Sequence, residues 1–345
     1  MSFASNAVMA KARAMYASHI TAAEYEALAA SKTLPELLSK LEKNRHFAPA
    51  LERAHRDIGP AQAEELLRIS IFDRLSVLSR YAISGNADFY KYYIAKNDIA
   101  QLARLIRLLL CDRLQDYLAV LPPFYEKLTQ LDLYALASAG SFADILRILS
   151  GTPYRAVLMP FARRMNEPDV YLRIETALNA YLSEYLSDAL RRDKSDRKQV
   201  DEVVRLFFDS RFITSLYRLK KIGVRDEQIT RGYLMGGCTA FSKKQAEALI
   251  AAADEKEFMQ ALSPTVYGDP LRGLDFGDTE KVMEDYLCRK LTRGLRYYDD
   301  PAAIMICYML LAEFEVKNVV RIIEGIRYGV DPEQIRKSLT GFSAA

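Results

Sequence analysis

The chain has 345 residues, half of them hydrophobic and 27% charged, with a formal charge of +3. That composition excludes disorder as the main state and gives no dominant basic footprint for nucleic acid. The longest apolar run, Ala302 to Ala312, is about half of what a bilayer span requires, so no membrane crossing is expected.

In chain order, residues 3–17 read as an amphipathic opening helix without the apolar core and cleavage site of a signal peptide. Residues 21–51 read as short helices, with a capping-box pattern from Thr21 to Glu24 and Pro35 near the start of the next turn. Pro60 opens a long helix to about Ser84, and a second runs from Asp88 to about Leu118, closed by Pro122-Pro123. Short helices follow over 124–165, then long ones at 168–191 and 199–222, separated by a charged stretch of alternating sign over 191–198 that reads as a solvated loop. The last third has short helices at 226–262 around Gly236-Gly237, long ones at 278–298 and 301–328, and a final short helix from Asp331. β-Branched alternation is nearly absent, so the fold class is all-α.

These elements repeat. Leu149-Ser150-Gly151-Thr152-Pro153-Tyr154, then Leu158, returns about 113 residues later as Leu262-Ser263-Pro264-Thr265-Val266-Tyr267, then Leu271. A fainter copy runs from Leu41 through Phe47 to Leu51, one residue late, with Asn44-Arg45-His46-Phe47 in place of T-x-Y. Leu28, Leu136 and Leu249 align, and so do Leu37, Ile145 and Phe258 further on, at the spacing of one helical face. A second phrase, Gly223 to Ile229, recurs as Gly329 to Ile335: a glycine ends one helix and Asp226 or Asp331 caps the next. Three units are expected, 1–119, 120–223 and 224–345, each a short-helix cluster followed by a long antiparallel pair.

The search for chemistry returns little. There is no phosphate loop, G-x-G-x-x-G, H-E-x-x-H or G-x-S-x-G pattern. Of the three histidines, His46 and His55 could share a metal site with a carboxylate such as Asp57, but a surface segment without cysteine support reads as solvated. Cys111, Cys238, Cys288 and Cys307 lack C-x-x-C spacing and read as reduced core or semi-buried thiols of a cytosolic chain. No cofactor or metal is expected. Asp299-Asp300 before Pro301 reads as a turn and N-cap. Tyr90, Tyr92, Tyr93, Tyr297 and Tyr298 read as core aromatics whose hydroxyls reach the surface. Tyr154 and Tyr267 read as rings locking each cluster to its long helices, with Thr152 and Thr265 capping. Glu315, Asn318 and Arg321 share one helical face, either a site or an inter-helix polar lock, with Lys96-Asn97 in the corresponding place of the first unit.

Together, the three degenerate repeats, the L-x-x-T-x-Y-x-x-x-L modules and a closing E-x-x-N-x-x-R followed by G-x-x-x-E-x-I resemble the C subunit of the V/A-type rotary ATPases, whose eukaryotic form is called d. Asn6 to Arg13 resembles that family's first helix, and Leu234-Met235-Gly236-Gly237 its third-module start. The resemblance implies a funnel of three all-α lobes with pseudo-threefold symmetry, held in the cytoplasm on the membrane rotor ring. It would receive the central shaft of D/F-type subunits and be a non-catalytic coupling adaptor. In that setting Arg53, Arg163 with Arg164, and Arg272, which follow the repeated leucines, would give salt-sensitive pairing with acidic partner surfaces. Two alternatives stay open: a stand-alone helical-repeat scaffold that binds proteins in a groove, and an all-α enzyme built on Glu315, Asn318 and Arg321 with Asp299 or Asp300.

Overall fold

The computed structural model describes residues 6–53, 58–81, 87–118, 129–191, 198–233, 239–271 and 279–341, with side chains left out at 87–90 and 190–191. All secondary structure among the described residues is helical. The opening helix α1 (Asn6–Tyr16) leads into three short ones, α2 (Ala22–Ala29), α3 (Leu34–Leu41) and α4 (Ala48–Leu51), then the long α5 (Pro60–Ser79) and α6 (Ala87–Leu110). The second run is α7 (Leu133–Ala137), α8 (Phe142–Ile148), α9 (Pro153–Leu158) and the long α10 (Val170–Arg191) and α11 (Lys198–Lys221). The third is α12 (Glu227–Arg231), α13 (Lys243–Ala251), α14 (Glu255–Leu262), the long α15 (Thr279–Tyr297) and α16 (Pro301–Arg327), and α17 (Pro332–Ser338).

The sequence repeat has a capping repeat beneath it. Thr33, Ser141 and Asp254 each accept the backbone N–H three residues on, from Glu36, Asp144 and Glu257. Glu36 and Glu257 reach back to the N–H groups of Lys32 and Ala253. Each cap therefore satisfies donors that the first helical turn leaves open. Four residues past the caps stand Leu37, Ile145 and Phe258, all fully buried. The cap thus sets the phase that points the apolar face inward. Ser141→Ala is expected to cost about 1 kcal/mol, read as a lower midpoint in thermal unfolding.

Helix ends follow the same logic. Gly223 and Gly329 take positive φ, 77° and 65°, where a side chain would be strained. Val224 N–H bonds to the Leu219 carbonyl and Val330 N–H to that of Gly325, both at 2.9 Å. These bonds close the last turns of α11 and α16 in the Schellman manner. Asp226 and Asp331 then cap α12 and α17.

By internal contacts the chain gathers into two compact units. One holds α1 to α5, the start of α11 through Ser210, and α15 to α17; the other holds α6 to α10, the rest of α11 from Arg211, and α12 to α14. In the first unit α16 is the centre. Ala302 to Ala312 are buried without interruption, and α1, α2, α3, α5, α15 and α17 all pack on α16. A helix apolar on every face belongs in a core, which accounts for the longest hydrophobic run. No helix among the described residues is long and apolar enough to cross a membrane. In the second unit α6 packs along α10, with α9 and α12 also on α10.

Compactness and repetition divide the chain differently for a physical reason. Where sequence order suggested that each long pair packs on itself, as α15 and α16 do, α5 packs on α16 and α6 on α10. In the first short module α2 and α3 pack on α16, and α12 of the third packs on α10.

Candidate functional site

The polar features that repeat are three buried carboxylates, one on the second long helix of each repeat: Asp98 on α6, Asp209 on α11 and Glu315 on α16. Asp98 accepts from the Tyr154 hydroxyl at 3.0 Å, from Thr129 Oγ1, and from the Gln130 N–H at 3.4 Å. Asp209 accepts from the Tyr267 hydroxyl at 2.7 Å. Glu315 accepts from the Ile20 N–H and from Arg74 Nη1, each at 2.5 Å. In every case a carboxylate of one repeat fastens the short module of the next, and the last carboxylate fastens the first module.

The first module has Phe47 where the others have tyrosine, and among the described residues no ring hydroxyl is bonded to Glu315. Arg74 takes that role. Its guanidinium lies over the Phe47 ring, 4.9 Å from the centroid, while Nη1 pairs with Glu315. A cation stacked on the ring replaces the hydroxyl lost with the Tyr-to-Phe difference between modules.

Burial sets the electrostatics. It pushes the Asp98 carboxyl up to about 6, against the pull of its Thr129, Tyr154 and Gln130 donors. Burial, then the adjacent carboxylate, hold the Tyr154 and Tyr267 phenols far above their ordinary value, so both remain donors.

The Glu315, Asn318 and Arg321 face packs inside the protein. Asn318 makes a two-point contact with Thr340, Nδ2 to its carbonyl at 2.9 Å and Oδ1 from its N–H at 2.8 Å. Arg321 donates to Thr340 Oγ1 at 2.7 Å and to Glu284 at 2.8 Å. Burial raises the Glu284 carboxyl, but Lys317 and Arg321 outweigh it and the net shift is downward. The face ties α15, α16 and the chain after α17 together. Its counterpart in the first repeat is not Lys96-Asn97 but Asp98-x-x-Gln101-x-x-Arg104, displaced by one or two residues. Gln101 accepts from Tyr117 Oη at 2.7 Å and Arg104 lies over the Tyr117 ring.

Several expectations change. Thr152 stands at the N-cap of α9, but its hydroxyl donates to the Leu149 carbonyl at 2.8 Å and caps no N–H. Thr265 Oγ1 does accept, from Tyr267 N–H at 3.2 Å. His46 is buried rather than solvated, with Nε2 2.8 Å from the Met15 carbonyl oxygen, and burial lowers its pKa. Cys111 is exposed, contrary to the reading of core thiols. The Cys288 thiol is pushed up to about 11 by burial and stays protonated at neutral pH. Tyr92 and Tyr93 are buried, but Tyr297 is 76% exposed. Asp300 caps α16 through the Ala303 N–H, and Asp299 meets Gln199. Arg53 pairs with Asp73 at 2.9 Å and Arg164 with Glu167 at 2.7 Å, while Arg163 is exposed. Arg272, His55, Asp57, Cys238 and 234–237 lie outside the described residues. No cluster of three or more metal-ligating side chains occurs among the described residues. Sequence reasoning missed Asp98, Asp209 and Arg74. The D-x-x-Q-x-x-R phrase could have revealed Asp98; nothing marked Arg74.

The arrangement is one of fasteners, with no nucleophile set beside a base among the described residues. The model of the ATP synthase (C/AC39) subunit family matches residues 8–338. This chain belongs to that family. A subunit of this kind is structural, not catalytic. The chain is similar to the A-type ATP synthase C subunit of Desulfurococcus sp. (strain SY), 25% identical over 336 residues that cover 95% of this chain and 88% of the relative. It is also similar to the C subunit of Thermococcus kodakarensis, at 24% identity with the same coverage. The Methanocaldococcus jannaschii protein of that name is 22% identical, over 96% of this chain and 85% of its own. The chain is thus a subunit of a rotary ATPase.

Proposed function

We propose that this chain is the coupling subunit between the central shaft and the membrane rotor ring, passing torque from one to the other. In this reading three lobes, 1–119, 120–223 and 224–345, form a funnel with pseudo-threefold symmetry. The subunit sits on the cytoplasmic face, bound to the membrane through the complex, and takes D/F-type shaft subunits in its mouth.

The observation that carries the reading is the cyclic order of the three carboxylate anchors. Asp98 fastens the second module, Asp209 the third and Glu315 the first. In this reading, units linked in that order would leave no open end, which suits a body that must transmit rotation without unravelling. An open solenoid would instead expose terminal faces that need caps.

The proposed partner contacts are Arg53, Arg163, Arg164 and Arg272. Arg53 and Arg164 hold exposed ion pairs, and pairs of that kind are worth only about 0–1 kcal/mol, so they exchange easily for a partner's carboxylates. Co-purification with shaft and ring subunits is expected to weaken as salt rises. Charge reversal of Arg53, Arg163 and Arg164 together should weaken it about tenfold or more at low salt, given what close interfacial charge pairs contribute. Retention that ignores both salt and the reversal would count against these contacts.

A further inference from the structure

A cavity of roughly 480 Å³ opens between α1, α15 and α16 in the first compact unit. Arg74 and Tyr308 line it, 3% and 2% exposed. Arg74 gives Nη1 to Glu315; among the described residues its Nε and Nη2 have no hydrogen-bond partner, and neither does the Tyr308 hydroxyl. That hydroxyl faces Arg74 closely enough to interact with its guanidinium, though no bond of full hydrogen-bonding geometry joins them. Buried donors of this kind are rarely left open. Nε and Nη2 form one edge of the guanidinium, a two-donor fork whose natural complement is a pair of oxygens on one anion.

The rim is also basic. Arg289, Arg293 and Arg296 line the same cavity from α15, spaced four and then three residues apart and therefore on one face. All three are exposed. Glu315 offsets Arg74, so the three rim arginines add net positive charge at the mouth. A monoanion would leave most of that charge unanswered; a phosphate group answers more of it and has oxygens to spare for the fork and the hydroxyl. The volume exceeds a bare phosphate, and Tyr16 and Tyr297 offer ring faces beside it.

We infer that this cavity is a binding site for a small phosphate-bearing anion, inorganic phosphate or a phosphate monoester, seated on the open edge of Arg74 and the Tyr308 hydroxyl beneath the α15 arginines. The site stands apart from the coupling reading and needs none of its contacts.

The test is calorimetric titration of the full chain with inorganic phosphate and with AMP at constant ionic strength, sodium chloride serving as the reference. Vesicles containing phosphatidic acid form a separate arm. Saturable binding of phosphate or AMP is expected, weakened about tenfold or more in R289Q/R293Q/R296Q, since charge-assisted bonds are lost. Tyr308→Phe should weaken it several-fold. Both variants leave the Arg74–Glu315 pair intact, and circular dichroism with thermal unfolding checks that they fold. Three results would each overturn the inference: no saturable binding of either soluble probe, equal binding by the folded rim variant, or binding confined to the vesicles.

Discussion

Glu315→Ala is expected to lower the stability of the unit built on α16 by about 3–5 kcal/mol, because it leaves Arg74 buried without its counter-charge. Arg74 is 3% exposed and its Nη1 sits 2.5 Å from Glu315. The same change removes the acceptor of the Ile20 N–H, so the first module loses its tether at the point where it enters α2. Arg74→Met should be comparably damaging, since it strands the carboxylate instead. The double variant Arg74→Met/Glu315→Ala should recover part of the loss, because it leaves no buried charge unpaired. Urea unfolding of the single and double variants measures this. A coupling of about 1–3 kcal/mol between the two sites is expected; strictly additive losses would show that the pair does not hold the module.

Asp98 gives the second large effect, and it is one of pH. Burial holds its carboxyl at about 6 in the fold, against 3.8 for the free side chain. The folded state therefore binds a proton more tightly than the unfolded chain between those values. Stability from this group is full below about pH 4 and falls as pH rises through about 6, by an amount approaching 3 kcal/mol. Asp98→Asn cannot titrate, so the difference between wild type and variant isolates the effect from every other carboxylate. Tyr154→Phe removes a donor that favours the ionised form, and it should move the window to higher pH. Unfolding midpoints of the unit containing α6 and α10, taken across pH 4–7, report both changes. Parallel pH profiles for wild type and Asp98→Asn would refute the assignment.

Much of this was legible in the residues. Glycine and aspartate at Gly223-Asp226 and Gly329-Asp331 declare a helix end and the next start, because only local backbone chemistry is at stake there. The long helices announced themselves by periodicity, and α16 by an apolar run too short for a bilayer yet buried throughout. Tyr154 and Tyr267 were visible as a repeat, but what their hydroxyls touch was not. Their partners lie more than fifty residues earlier, on helices whose register the sequence leaves ambiguous by one or two positions. That ambiguity put Lys96-Asn97 where Asp98 belongs. Arg74 was invisible for a different reason. It has no counterpart in the repeat, and its meaning comes only from a ring without a hydroxyl at Phe47 and a carboxylate far along the chain. His46 misled in the same way, since the carbonyl that explains its burial belongs to Met15 on α1.

Bridging of shaft and ring is the central functional claim, and reconstitution tests it most directly. Isolated rotor ring is immobilised, and the shaft subunits are applied with and without this chain, the retained shaft being quantified by mass spectrometry. The account predicts stoichiometric retention of shaft only when the chain is present, and release of both as salt is raised. Shaft that binds the ring equally well without the chain would contradict it.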